Sequence, residues 1–206
     1  MIPTLGTILS ILLPAAAIVG TKTADTGSSR TLENLQAAFD GESNAHNKYL
    51  LFANKAGEDG YGEVASLFRA AAKAEEIHAS NHAVVIRKLG AEPKADIHAP
   101  EIKSTRENLA AAIAGETYER DTMYPEFIAE AKAVKNSDAL RTFTFAIKTE
   151  AEHARLYTEA LNKLESLKGA SKQYFVCRVC GYTTENLNFL RCLVCGVSKE
   201  EYIPVS

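Results

Sequence analysis

The chain has 206 residues, of which 46% are hydrophobic and 24% charged, and this ordinary composition excludes disordered and collagen-like proteins. Lys and Arg number 23 against 26 Asp and Glu, so the net charge of −3 provides no basic surface for nucleic acid. With only 6 Pro and 12 Gly, the composition favours helices over a turn-rich β fold.

Residues 1–28 form an apolar N-terminal segment that we exclude from the predicted fold. The run Ile8–Val19 has the length of a signal-peptide core rather than of a spanning helix. Ala15 and Ala17 offer a small-x-small cleavage site, but no Lys or Arg precedes the run. A signal peptide or membrane anchor therefore stays open beside a loose apolar tail or a mis-called start, and the location of the protein stays open with it.

Residues 29–170 are predicted to form four amphipathic helices, because apolar residues recur there with helical spacing. Ser104 followed by Glu107 is a capping box that begins the third helix, and Pro125 is expected to kink that helix. The breaks between helices fall at Gly57–Gly62, at Gly90–Lys103 and near Asn136–Asp138.

The lengths of the connections predict the topology. The first and third are short and join antiparallel neighbours. The middle connection, Gly90–Lys103, reaches about 46 Å when extended, which matches a thirty-residue helix of about 45 Å. The sequence therefore predicts an all-α, ferritin-like four-helix bundle with one long crossover.

An internal repeat supports a duplicated helical hairpin. The stretch 33–42, ENLQAAFDGE, returns as 107–116, ENLAAAIAGE, at an offset of 74. The pair Glu75 and His78 returns as Glu150 and His153, at an offset of 75. Two helices thus supply one Glu each, and the other two supply Glu-x-x-His each.

These repeated residues are a candidate site for two metal ions. Residues three apart share a helix face, and the set matches the ligands of di-iron carboxylate bundles. Carboxylates in a dry core cost several kcal/mol each unless cations neutralise them, and this oxygen-rich set favours iron or manganese over zinc. The candidate ligands are Glu42, Glu75, His78, Glu116, Glu150 and His153.

Four neighbouring residues are candidates for further roles at this site. Glu119 lies one turn beyond Glu116 and has no counterpart in the repeat, where Ala45 stands, so it predicts an asymmetric site with a ligand that can move. Tyr49 and Tyr124 can donate hydrogen bonds or protons to the site, although ordinary core packing explains them nearly as well. His82 is expected to be a core or supporting imidazole rather than a ligand.

Residues 171–206 contain all four cysteines and form a second predicted domain. Cys177 and Cys180, then Cys192 and Cys195, make two similar knuckles, each followed by a glycine that lets the backbone turn. Four thiolates in this array predict a tetrahedral zinc or iron site, and export would allow two disulfides instead. A redox-active bundle in the same chain favours iron, which would relay single electrons.

From residue 31 to 203 the sequence resembles the rubrerythrin family, and most of all its nigerythrin-type branch. The specific motifs are GES at 41–43, EEIH at 75–78, GETYE at 115–119, MYP at 123–125 and EAEH at 150–153, followed by the two knuckles. Second knuckles of rubredoxin type usually read Cys-Pro-x-Cys, and Leu193 replaces that proline here. The apolar start is also atypical of a cytoplasmic enzyme of this family.

The resemblance implies a non-haem peroxidase that reduces hydrogen peroxide to water. A rubredoxin-like iron would pass in electrons, ultimately from a reduced nicotinamide through an upstream electron-transfer protein or reductase. The family also implies a homodimer in which one subunit's rubredoxin-like site faces the other subunit's di-iron centre. Two alternatives remain, namely a ferroxidase or iron-handling bundle, and a docking protein with structural metals and a zinc ribbon.

The resemblance also implies a role for each candidate ligand. The first iron would bind Glu42 together with either Glu119 or His78, which would exchange with the redox state. The second iron would bind Glu116 and His153, while Glu75 and Glu150 would bridge the two. Glu119, asymmetric in the repeat, thereby acquires a function.

Overall fold

The computed structural model describes Met1 and residues 26–206. The apolar run interpreted as a possible signal peptide or anchor lies outside this part of the chain. Within the described part, no helix is both long and apolar enough to cross a membrane.

The bundle has the four predicted helices, and the third of them is interrupted. The helix α1 begins at Thr26, inside the segment excluded from the predicted fold. The third helix of the bundle consists of α3, a π-helical turn and α4. The bounds are α1 Thr26–Glu58, α2 Gly62–Lys88, α3 Thr105–Tyr118, the π-helix Glu119–Met123, α4 Tyr124–Ala133 and α5 Ser137–Asn162.

The interruption of the third helix absorbs one inserted residue. Ser104 caps α3 as predicted, because its side chain accepts from the Glu107 amide and the Glu107 carboxylate accepts in return. Glu116 follows Glu42 at an offset of 74, yet Tyr124 follows Tyr49 at an offset of 75. The π-helix Glu119–Met123 lies between them, and π-turns accommodate single insertions, often at functional sites. Pro125 lies in the first turn of α4.

The crossover between α2 and α3 runs along α1, as its length predicts. Three polar side chains one turn apart on α1, Gln36, Asp40 and Asn44, bond to its backbone. The Gln36 amide donates to the Glu92 carbonyl at 2.7 Å, and the Asp40 carboxylate accepts from the Asp96 amide at 2.7 Å. These bonds satisfy crossover groups that no regular element pairs.

The C-terminal domain is a small antiparallel sheet with the strand order β2-β1-β3. Its strands are β1 Tyr174–Cys177, β2 Thr183–Thr184 and β3 Tyr202–Val205. The linker that enters the domain passes the start of α2, where the Gly169 amide donates to the Gly60 carbonyl at 2.9 Å and Lys172 pairs with Glu63 at 2.9 Å. The domain consequently packs on α2 and α5 of its own chain.

Candidate metal centre

Two groups of four buried side chains lie at the middle of the bundle, and they share two carboxylates. One group is Glu42, Glu75, His78 and Glu150, and the other is Glu75, Glu116, Glu150 and His153. Within each group, one ligand atom of every residue lies within 4.8 Å of the others. The structure thus brings together six predicted ligands, with Glu75 and Glu150 common to both groups.

The two histidines present the same nitrogen to the carboxylates. The Nδ1 atom of His78 lies 2.9 Å from Glu75 and 3.1 Å from Glu150. The Nδ1 atom of His153 lies 3.2 Å from each of the same two residues. Each Nε2 atom points away from the carboxylates and forms a hydrogen bond with the C-terminal domain. A hydrogen bond at this outer nitrogen fixes the tautomer of a metal-binding imidazole.

The two tyrosines bond across the repeat. The Tyr49 hydroxyl donates to Glu116 Oε1 at 2.7 Å, and the Tyr124 hydroxyl donates to Glu42 Oε1. Each tyrosine therefore holds the terminal carboxylate that belongs to the other hairpin. Both rings are buried among aromatic side chains, so packing and hydrogen bonding occur together.

The electrostatics of the site reflect crowded carboxylates in a dry core. Burial and the neighbouring Glu75 raise the pKa of Glu116 to about 7, and burial with Glu75 and Glu150 raises the pKa of Glu42 well above its usual value. Burial would also raise the pKa of Glu75, but His153 and His78 on either side outweigh it and lower that pKa. In the protein without metal ions, Glu42 and Glu116 therefore tend to bind protons, which neutralise the charge that cations would otherwise neutralise.

The unpaired oxygens show that the site fits divalent cations. Glu42 Oε2, Glu75 Oε1, Glu116 Oε2 and both oxygens of Glu150 are buried with no hydrogen-bond partner among the described residues. Buried polar atoms are nearly always satisfied, so a cluster of such oxygens needs ligands that the side chains do not provide. Hard or borderline cations suit carboxylates and imidazoles.

Glu119 lies outside both groups of four. It is half-buried at the start of the π-helix, and burial together with Glu42 raises its pKa well above the usual value. Its carboxylate is therefore close enough to interact electrostatically with Glu42. His78, and not Glu119, is a member of the first group of ligands. The predicted role of Glu119 as an exchanging ligand stays a prediction.

The four cysteines converge in the C-terminal domain as predicted. The Sγ atoms of Cys177 and Cys195 lie 3.7 Å apart, and those of Cys180 and Cys192 lie 3.5 Å apart. A tetrahedron with metal–sulfur bonds of about 2.3 Å places its sulfurs about 3.7 Å apart. All four are free cysteines, so the disulfide alternative is not realised.

The first knuckle touches the carboxylate site directly. His78 Nε2 donates to the Cys180 carbonyl at 3.0 Å, and the Asn81 amide donates to the Val179 carbonyl at 2.9 Å. At Gly181, which has a φ of +80°, an added Cβ would lie 2.5 Å from His78 Nε2. Glycine is needed there both for the turn and for the close approach.

This contact lies within one chain. The resemblance implies a contact in which a partner subunit's module faces the dimetal site. The expected homodimer itself stays a prediction. The chain supplies both metal groups and their contact without a second copy.

Several supporting threonines were not singled out from the sequence. The His153 Nε2 atom donates to the Thr183 hydroxyl at 3.0 Å, and the Thr149 hydroxyl donates to the Cys180 carbonyl at 3.3 Å. His82, which burial and His78 keep at a pKa of about 3, bonds the Tyr124 hydroxyl on one side and Thr142 on the other. Threonines carry no motif. Only positions on the inner face of α5 could have pointed to Thr142 and Thr149, and Thr183 lies on strand β2.

Comparison with known proteins places this architecture in a family. The rubrerythrin family model matches residues 33–161. Nigerythrin of Nitratidesulfovibrio vulgaris is 38% identical over 173 residues, covering 84% of this chain and 85% of that protein. Rubrerythrin-2 of Clostridium acetobutylicum is 34% identical over 175 residues, covering 84% of this chain and 95% of that protein.

Solved structures agree with the sequence comparison. The fully reduced, all-ferrous state of nigerythrin superposes with a TM-score of 0.79 at 33% identity, covering 96% of this chain and all of that one. A bacterioferritin of Desulfovibrio desulfuricans, at 22% identity and a TM-score of 0.64, shares the fold.

The fold and the residue clusters define a ferritin-like carboxylate bundle joined to a four-cysteine domain. The chain belongs to the rubrerythrin family. The predictions of a nigerythrin-like di-iron type of site with carboxylate and histidine ligands, and of a rubredoxin-like four-cysteine site, are thereby confirmed.

Proposed function

We propose that this protein is a peroxidase that reduces hydrogen peroxide to water at a di-iron centre, with electrons relayed by a rubredoxin-like iron. The observation that carries the proposal is the 3.0 Å hydrogen bond between His78 and the Cys180 carbonyl, which joins the two metal groups. A metal site used only for structure would not require this contact. Rubrerythrins are generally oxidoreductases, and reduction of hydrogen peroxide is the particular reaction that we propose for this one.

The two groups of side chains would each hold one iron. Glu42 and His78 would bind the first, Glu116 and His153 the second, and Glu75 with Glu150 would bridge them, in accord with their membership of both groups. Cys177, Cys180, Cys192 and Cys195 would hold the third iron. When bound, the di-iron pair supplies the two electrons that, with two protons, convert one hydrogen peroxide into two waters.

The protein's own residues would orient ligands and handle protons. Tyr49 and Tyr124 fix one oxygen of each terminal carboxylate and leave the other oxygen without a hydrogen-bond partner among the described residues. Burial raises the pKa of both phenols well above the usual range, so each keeps its proton at neutral pH. Glu119, whose pKa is also raised, can hold a further proton beside the site.

The electron path would begin at an upstream electron-transfer protein or reductase. Leu190 and Leu193, which flank Cys192, are 80% and 67% exposed, so the second knuckle is open to such a donor. The first knuckle faces inwards, and its Cys180 carbonyl meets His78. Electrons entering at the exposed knuckle would therefore leave at the buried one.

Metal analysis and a visible spectrum of anaerobically purified protein test the proposal. We expect about three irons per chain and a ferric-thiolate band that a reductant bleaches and hydrogen peroxide restores. Zinc at the four cysteines would contradict the electron relay. Rapid turnover of added ferrous iron that persists in a Cys192→Ser, Cys195→Ser variant would instead support a ferroxidase.

A second experiment tests the predicted role of Glu119. We expect Glu119→Ala to keep the bundle folded and metal-loaded while slowing peroxide turnover by at least about tenfold. Glu126→Ala, on the exposed first turn of α4, is the matched control and should leave turnover unchanged. Unchanged turnover in Glu119→Ala would remove this residue from the mechanism.

A further inference from the structure

A chain of hydrogen bonds connects Glu42 with the surface of the bundle. The Tyr124 hydroxyl donates to Glu42, so its oxygen accepts from His82 Nε2, which lies 3.1 Å away. With that proton on Nε2, the neutral His82 ring accepts at Nδ1 from the Thr142 hydroxyl, 3.0 Å away. Every donor in the chain therefore points inwards, from Thr142 towards Glu42.

The outer end of this chain reaches solvent. A cleft of about 420 Å³ opens between α2, α5 and the four-cysteine domain, and Thr142 forms part of its wall. Asn81, Phe145 and Val179 line the same cleft. Thr142 itself is only 5% exposed, while His82 and Tyr124 are fully buried, so the chain passes from the cleft into a dry interior.

The repeat provides an internal control, because the corresponding positions around Tyr49 lack this histidine and threonine. At an offset of 75, Tyr157 corresponds to His82, and Leu67 corresponds to Thr142. The Tyr157 hydroxyl has no hydrogen-bond partner among the described residues, and Leu67 is buried. Behind Tyr49 the path therefore ends in apolar packing.

We propose that Thr142, His82 and Tyr124 form a proton relay that supplies the metal centre from this cleft. The inference rests on the proposed peroxidase function, which consumes two protons for each peroxide reduced. In one step Thr142 takes a proton from solvent and gives its own to His82 Nδ1. His82 gives its Nε2 proton to Tyr124, and Tyr124 gives its proton to the Glu42 side of the site.

The relay leaves each of its members neutral. His82 exchanges one tautomer for the other, and the ring or the hydroxyl groups must rotate back before the next proton passes. No electron moves along this path, which is separate from the contact between His78 and the Cys180 carbonyl. His82 and Thr142 are thus proton-relay residues that act on the metal centre through Tyr124.

Hydroxyl-proton exchange tests the relay independently of turnover. In the full-length protein loaded with diamagnetic zinc, the exchange of each buried tyrosine hydroxyl is read by NMR from the deuterium-induced shift of its Cζ carbon. We expect Tyr124 to exchange at least about tenfold faster than Tyr49, and Thr142→Val or His82→Gln to remove that advantage. Thr142→Ser should restore it, and Tyr157→Phe should change neither rate.

Each outcome decides the proposal. Equal exchange at Tyr124 and Tyr49, an unchanged rate in Thr142→Val, or an equal fall at both tyrosines would overturn the relay. In the iron-loaded protein, Thr142→Val should slow reoxidation by hydrogen peroxide, and Thr142→Ser should retain it. If zinc-loaded exchange behaves as expected but the iron-loaded protein does not reduce peroxide, the proposed function fails and the proton path remains.

Discussion

The two hairpins of the bundle are copies that differ behind their tyrosines. The pairs Tyr49 and Tyr124, Phe52 and Phe127, and Phe68 and Phe143 correspond at an offset of 75. Both tyrosines bond to the opposite carboxylate, and both pack on their phenylalanines. The halves diverge where Leu67 and Tyr157 in one correspond to Thr142 and His82 in the other.

This difference shows that a symmetric metal site can have asymmetric surroundings. Ligands must be duplicated because two ions need the same donors, and the structure keeps them in register across the repeat. The next layer of side chains is under no such constraint, so a polar path lies behind one tyrosine and a dry aromatic cluster behind the other. We call them the relay half, behind Tyr124, and the aromatic half, behind Tyr49.

Removing the metals should have the largest effect, because the buried carboxylates that both halves contact then have no cations to neutralise them. Burial raises the pKa of Glu116 to about 7, above its unfolded value. The stability linked to its proton is therefore complete below the unfolded pKa and is lost as the pH rises through about 7. Over that range we expect the metal-free protein to lose about 3 kcal/mol of unfolding free energy, measured by urea titration at a series of pH values.

Two substitutions separate the halves in this titration. Glu116→Gln, in contact with the aromatic half, should abolish the loss that ends near pH 7. Glu42→Gln, in contact with the relay half, should leave that loss largely in place, because burial and Glu75, rather than Glu42, raise the pKa of Glu116. Identical profiles for both variants would contradict this assignment, and the metal-loaded protein should lack the loss.

Gly181→Ala should have the next largest effect, and it acts mainly on His78. The new methyl group would overlap the His78 ring, which carboxylates hold from the other side. Gly196→Ala is the matched control, since its φ of +76° is similar but nothing lies within 4 Å. Both variants incur about 1 kcal/mol from the left-handed backbone, and we expect Gly181→Ala to lose about 2 kcal/mol more in urea unfolding. Equal losses would mean that the knuckle does not press on His78.

Tyrosine-to-phenylalanine changes compare the halves directly. Tyr124→Phe removes bonds to both Glu42 and His82, whereas Tyr49→Phe removes only the bond to Glu116. We expect losses of about 3 and about 1.5 kcal/mol of unfolding free energy, respectively. A double-mutant cycle of Tyr124→Phe with His82→Leu should show a coupling of about 1 kcal/mol. The cycle of Tyr49→Phe with Tyr157→Phe should show none, and comparable couplings would erase the distinction.

The sequence predicts the parts of the molecule that obey spacing rules. Glu-x-x-His positions, the capping box at Ser104 and the paired cysteines all follow from helical period or turn chemistry, and the structure brings the predicted ligands together. The repeat offsets of 74 and 75 already contained the inserted residue, but only the backbone shows that a π-helix absorbs it. A local insertion has no unique conformation until the flanking helices are packed.

Contacts between distant segments could not be predicted in this way. Nothing in the motif of the first knuckle indicates that Cys180 meets His78 of the same chain, because that contact depends on the path of the linker past Gly60. His82 could be placed on an inner helix face, but its partner Thr142 lies far along the chain, on α5, and carries no motif. Tertiary packing, rather than local pattern, determines these pairs.

Thr183→Val should have the smallest effect and sharpens the comparison of the two histidines. His78 Nε2 donates to a backbone carbonyl, which no substitution at Cys180 removes, while His153 Nε2 donates to the Thr183 hydroxyl. Loss of this neutral bond should cost about 1 kcal/mol in urea unfolding. Thr184→Val, which removes a half-exposed hydroxyl bonded to the Asn186 carbonyl, is the control and should cost less. If Thr184→Val lost more unfolding free energy than Thr183→Val, the bond between His153 and Thr183 would contribute little to stability. Only the contact of His78 with the C-terminal domain would then be important.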